Sequence, residues 1–168
     1  MYDELTAVDI RKMQEEIDYR TRELRPQLIE EVQTARAFGD LSENYEYKCA
    51  KQAKNRNDSR IRYLERMIRT AKVIEPAHSA SGAVELFDKV TFLNEKLGAE
   101  MTIQIVTTLR QDALKNLISK ESPVGRALMG HQVGDRVLIE VSPQLKYYAV
   151  IRAIEKGRDD DSLEISSY

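Results

Sequence analysis

Gly39-Asp40-Leu41-Ser42-Glu43-Asn44-Tyr45-Glu46-Tyr47 lies between two long stretches of helical pattern, and its reading decides the fold. Glycine just past a helix is the commonest way to close one, so Gly39 ends the first stretch. Asp40, Leu41 and Ser42 leave only a tight turn before Glu43 opens the second. Two helices joined so briefly fold back antiparallel as a hairpin. Its tip then carries two carboxylates, Asp40 and Glu43.

Working outward, Thr6 or Asp9 is a candidate cap for the first helix. Ile10, Met13, Ile17, Leu24, Leu28, Val32, Ala35 and Phe38 follow at mostly three- and four-residue steps, an apolar stripe that slips near Arg20-Thr21. Pro26 removes a backbone donor, which predicts a bend or break near Leu24–Arg25. In the second run Tyr47, Ala50, Lys54, Asn57, Ile61, Leu64, Ile68 and Ala71 form a heptad seam. Roughly thirty helical residues span about 45 Å, so the hairpin is a coiled-coil rod.

Ile74-Glu75-Pro76 ends the rod and 77–82 reads as linker. The domain reading is therefore residues 1–75, a linker at 76–83, a second domain at 84–157, and an acidic tail at 158–168 that reads as frayed. In the second domain the period becomes that of half-buried strands, at Val84–Asn94, Glu100–Thr108, Leu117–Ser119, Arg136–Val141 and Tyr147–Ile154. Ser122 caps a short helix, Pro123 takes its first turn and Gly130 closes it. The fold class is α+β: an antiparallel two-helix coiled coil, then a small antiparallel sheet with one short helix.

Net charge is only −2, which gives no global pull toward nucleic acid. The distribution differs: from Lys48 to Lys72 nine basic residues face only Asp58 and Glu65. Lone Cys49 excludes an internal disulfide and fits a reducing cytoplasm. No apolar run approaches the roughly 18–20 residues of a membrane span, and the N-terminus lacks a signal-peptide core. His78 has no ligand at metal-binding spacing. The expectation is a cytoplasmic protein, away from membranes.

Asp40-x-x-Glu43 also fits a capping box, with Asp40 on the second helix and Glu43 reaching back. Both readings stand at this stage, since a rigid turn also fixes two carboxylates in place. Hard oxygen donors without histidine suit Mg²⁺, which takes one or two carboxylates from any one source. Such a tip holds no metal alone; it completes a site that another macromolecule supplies.

Ala35-Arg36-x-x-Gly39-Asp40-Leu41-Ser42-Glu43-Asn44-x-Glu46-Tyr47 resembles the tip signature of the bacterial Gre family of transcript-cleavage and elongation factors (GreA and GreB). Asn116-Leu117-Ile118-Ser119, Ser122-Pro123-x-Gly125-x-Ala127-Leu128-x-Gly130 and Val133-Gly134-Asp135 are similar to that family's C-terminal signature. The resemblance implies a coiled coil inserted into the secondary channel of bacterial RNA polymerase and an FKBP-like C-terminal domain docked at its entrance. It implies that Asp40 and Glu43 help hold a Mg²⁺ shared with the polymerase active site, and that the polymerase itself, not this factor, cleaves backtracked RNA. Arg36, Asn44, Tyr47, Lys48, Lys51 and Lys54 are the implied contacts to polymerase or to the nascent RNA 3′ end. Ser122, Pro123 and Gly125 are the implied docking residues, and the factor is expected to act as a monomer. Departures are Ala7-Val8-Asp9 for an early glycine, Ser142-Pro143-Gln144-Leu145 for a Gly-rich turn, and the acidic tail. Rival readings are a channel-binding inhibitor, a prolyl isomerase and a plain coiled-coil adaptor.

Overall fold

The computed structural model describes residues 3–39, 43–76 and 81–167. The chain divides into two compact units, a hairpin formed by residues 10–71 and a sheet-bearing unit formed by residues 3–9 with 72–167.

Helix α1 (Ala7–Tyr19) leads into the hairpin. Its start is a reciprocal box: the Thr6 amide donates to Asp9 Oδ2 at 3.1 Å and the Asp9 amide donates to Thr6 Oγ1 at 3.4 Å. Both candidate caps thus act together. A π-helical turn at Arg20–Leu24 follows, and then α2 (Arg25–Arg36) with Pro26 in its first turn. A π turn inserts one residue into the α period. That accounts for the slip of the apolar stripe at Arg20-Thr21. The expected break is replaced by this turn: Tyr19, Leu24 and Arg25 all keep right-handed helical angles, and the Arg25 amide donates to the Arg20 carbonyl one turn ahead of Pro26. Phe38 falls off the stripe. The helix ends at Arg36, so Phe38 no longer follows helical spacing and is 70% exposed.

Helix α3 (Tyr45–Thr70) returns along α2. Of its seam, Ile61, Leu64 and Asn57 are buried while Tyr47, Ala50, Lys54 and Ile68 are half-buried. The polar members sit in a mid-rod network. Asn57 Nδ2 donates to the Arg20 carbonyl at 3.1 Å and Arg20 Nη1 donates to Asn57 Oδ1 at 3.0 Å. Arg60 grips Glu16 through Nε at 2.9 Å and Nη2 at 3.2 Å. A polar seam residue that closes such bonds fixes register, because any slip would leave it buried and unpaired.

In the other unit β1 (Glu4–Leu5) pairs parallel with β2 (Lys72–Val73). The main sheet comprises β3 (Lys89–Asn94), β4 (Ala99–Val106), β5 (Leu117–Ser119), β6 (Arg136–Glu140) and β7 (Lys146–Glu155), ordered β5-β4-β3-β7-β6. The sheet is mixed, not purely antiparallel as expected, because β5 runs parallel to β4. The connection 107–116 crosses over through a 3₁₀ turn (Ala113–Lys115), which reverses the direction a hairpin would impose. Helix α4 (Pro123–Leu128) covers a core that includes Val90, Phe92, Ile105, Leu128, Ile139 and Ile151.

Strand β3 begins later than its pattern predicts. Asp88 Oδ2 accepts the Glu85 amide at 2.9 Å and Phe87 lies at φ 73, so residues 85–88 form a turn. The tail also differs from expectation, for it is docked rather than frayed. Arg110, fully buried, pairs with Asp9 at 2.7 Å and with Asp159 at 2.5 Å, and its guanidinium lies 4.6 Å from the Phe87 ring centroid. Ser166 donates its amide to the Leu109 carbonyl at 2.7 Å, and Leu163 packs on the core. The acids of the tail are held because a buried guanidinium needs counter-charge. Gly157 permits the approach: a Cβ there would stand 1.9 Å from the Phe87 carbonyl oxygen.

Candidate functional site at the hairpin tip

Three backbone devices build the tip. After α2 the amides of Ala37 and Phe38 fold back on Gln33, Thr34 and Ala35. Gly39 takes φ 135, a value that L side chains rarely adopt, with open space where a Cβ would stand. Asn44 then joins the two helices. Its Oδ1 accepts the Tyr47 amide at 3.0 Å, as an N-cap does, while its Nδ2 donates to the Ala35 carbonyl at 2.6 Å. The capping box with Asp40 as cap is therefore corrected, because α3 begins at Tyr45 under Asn44. An asparagine supplies both the acceptor for one helix start and the donor for the other helix end; a carboxylate supplies only the first.

Asp40 lies outside the described residues. Glu43 stands one residue before the Asn44 cap, its side chain exposed. Among the described residues no group of three His, Cys, Asp or Glu converges to hold a metal ion. The donor that is described, an exposed carboxylate one residue before the Asn44 cap, is of the hard-oxygen kind that Mg²⁺ prefers.

The basic residues are not equivalent. Arg36 and Lys51 flank the Tyr47 ring, at 5.6 and 5.9 Å from its centroid. The hydrogen bond from Arg36 holds the Tyr47 phenol below its ordinary pKa; partial desolvation opposes it and the Lys51 and Arg36 charges add to it. Among the described residues neither cation meets a carboxylate, and Lys48 is likewise exposed. Lys54 is committed within the hairpin, its Nζ 3.2 Å from Asp58, which Arg25 also reaches at 3.1 Å. Arg36, Tyr47 and Lys51 thus form one cationic-aromatic cluster that Lys54 does not join.

The three C-terminal candidates have tasks inside the fold. Ser122 Oγ accepts the Gly125 amide at 3.0 Å and donates to the Ser119 carbonyl at 2.6 Å, and exposed Pro123 occupies the first turn of α4. Gly125 is buried where a Cβ would stand 2.2 Å from the Ser119 carbonyl oxygen, so only glycine lets α4 approach β5. One exposed aromatic side chain escaped the sequence reading as a site element, Phe38 at 70% exposure, and Tyr45 near it is 77% exposed. The signal of Phe38 was its place at the very end of the first helical run, but the stripe pattern absorbed it.

Comparison with known proteins agrees with this construction. Residues 4–73 match the family model described as transcription elongation factor, N-terminal, and residues 79–156 match that of transcription elongation factor, GreA/GreB, C-term. The chain is 38% identical over 145 residues to transcription elongation factor GreA of Sinorhizobium medicae, covering 86% of this chain and 91% of that protein. It is 38% identical over 154 residues to GreA of Oenococcus oeni, covering 92% and 95%. Among solved structures, GreA factor homolog 1 (Gfh1) of Thermus thermophilus is 26% identical over 93% of this chain and 100% of that one, at a TM-score of 0.42, too low to carry an argument. With both halves matched in order and the relatives covered almost end to end, the chain belongs to the GreA/GreB family of transcription elongation factors.

Proposed function

We propose that this elongation factor acts as a monomer in the secondary channel of bacterial RNA polymerase, where its tip stimulates cleavage of backtracked RNA by the polymerase. The observation that carries the reading is the exposed Glu43 carboxylate on a turn that Asn44 clamps at both ends. Glu43 directly precedes that clamp, so the backbone next to its carboxylate is tied to both helices before the tip meets a site. Asp40 and Glu43 are the residues that would share a Mg²⁺ with the polymerase. When bound, that ion lowers the pKa of the attacking water and steadies charge on the scissile phosphate.

Glu43 would hold the ion and orient the attacking water, while Arg36 and Lys51 would draw the phosphates of the displaced 3′ segment without reading its sequence. The chemistry is the polymerase's own, and this chain is an accessory factor rather than an enzyme. No helix among the described residues is long and apolar enough to cross a membrane.

The test is transcript cleavage on a stalled, 3′-labelled elongation complex. Wild type should release the labelled fragment; Asp40→Ala and Glu43→Ala should each fail to do so while still binding polymerase. Equal release by wild type and either variant would overturn the proposal.

A further inference from the structure

The cluster of Arg36, Tyr47 and Lys51 accounts for one side of the tip. A second surface on the hairpin has the opposite character. Ala35, Ala50 and Ala53 floor an open groove of about 710 Å³ between α2 and α3, and Phe38 and Cys49 stand along it. Small side chains on facing helices leave the hollow, because no bulk fills the space between the backbones. Phe38, beyond the last turn of α2, stands 70% exposed along this groove and adds to its apolar surface.

The rim carries Glu30, Glu31 and Glu46, all exposed, and no lysine or arginine lines the groove. Three carboxylates around an apolar floor repel a phosphodiester chain and favour a cationic partner. The groove runs between the two antiparallel helices of the hairpin, the form that accepts a helix or extended segment by its apolar face. We infer that this groove docks a segment of RNA polymerase with apolar side chains flanked by lysine or arginine, so that RNA and protein are received on different residues of one tip. The inference rests on the proposed function for its choice of partner.

Exposed Cys49, the chain's single cysteine, provides the test because it lies in the groove itself. The full-length factor, carrying a short photo-crosslinker on Cys49, is irradiated in complex with purified polymerase elongation complexes, and the adduct is mapped by mass spectrometry. The expected product joins Cys49 to a polymerase peptide that contains apolar residues beside lysine or arginine. Glu30→Lys/Glu31→Lys should then lower the crosslink yield and weaken polymerase binding by roughly tenfold, with helical content and melting temperature retained. A crosslink to RNA, to a second copy of the factor, or to an acidic polymerase segment would overturn the inference. So would no crosslink under conditions where unlabelled factor competes for binding. The map reads contact and not cleavage, so its failure is distinct from a failure of the tip acids to stimulate hydrolysis.

Discussion

Arg110 and Arg36 carry the same charge and spend it in opposite ways. Arg110 is fully buried, stacked over Phe87 and paired with both Asp9 and Asp159. Arg36 is exposed beside Tyr47 and meets no carboxylate among the described residues. A buried guanidinium must be answered from within the fold, and here it gathers segments distant in sequence, its bond to Thr6 spanning 104 residues. An exposed guanidinium makes no such demand on the fold, and the proposed function gives Arg36 a phosphate as its partner. The sheet-bearing unit uses charge to fix itself; the hairpin tip keeps charge in reserve.

The comparison breaks most readily at Arg110. Arg110→Ala leaves Asp9 buried and Asp159 half-buried without their counter-ion and should cost about 3–5 kcal/mol, read by urea unfolding; a loss under about 1 kcal/mol would show that the cluster is not what holds the tail. The hairpin's own buried pair gives a pH signature. Burial raises the Glu16 pKa, but hydrogen bonds from Arg60 and Arg20 outweigh it and hold the group below 4.5. A depressed folded-state pKa adds stability that is full above the unfolded value and disappears as pH falls through the folded one. Acid titration of the hairpin melt should therefore show stability declining below about pH 4.5, and Arg60→Ala should flatten that decline.

These features differ in how far they could be read from sequence. Helix α3 was legible because its seam repeats without error, and α4 because Ser122, Pro123 and Gly130 are local signals. Pro26 signalled an irregularity, but it took the form of a π turn that shows in the sequence only as a slip in the stripe, not of a break. The parallel edge strand β5 was not, since a three-residue strand has no direction until its neighbour is known. Nor was the docked tail. Asp159-Asp160-Asp161 looks like solvated charge, and only the burial of Arg110 some 49 residues away turns part of it into structure. Asn44 was seen as a contact residue; its role as a double clamp depends on the Ala35 carbonyl across the turn.

Smaller effects sharpen the comparison at the tip. Asn44→Ala removes the cap and the bond across the turn, and should cost about 1 kcal/mol. It should also slow stimulated cleavage more than it weakens polymerase binding, because the Glu43 carboxylate loses its support. Lys51→Ala should leave stability within about 0.5 kcal/mol yet reduce cleavage on complexes with long displaced RNA. Equal activity at every RNA length would remove Lys51 from the RNA path. Lys54→Ala should act differently, lowering hairpin stability slightly through Asp58 while leaving RNA-length dependence unchanged.

The most direct measurement is the Mg²⁺ dependence of cleavage at saturating factor, wild type beside Glu43→Gln. The account predicts that the amide, which keeps the shape but loses the charge, shifts half-maximal cleavage to much higher Mg²⁺ or abolishes it, with affinity for polymerase unchanged. Superimposable Mg²⁺ curves for the two proteins would contradict the claim that the tip lends a metal ligand.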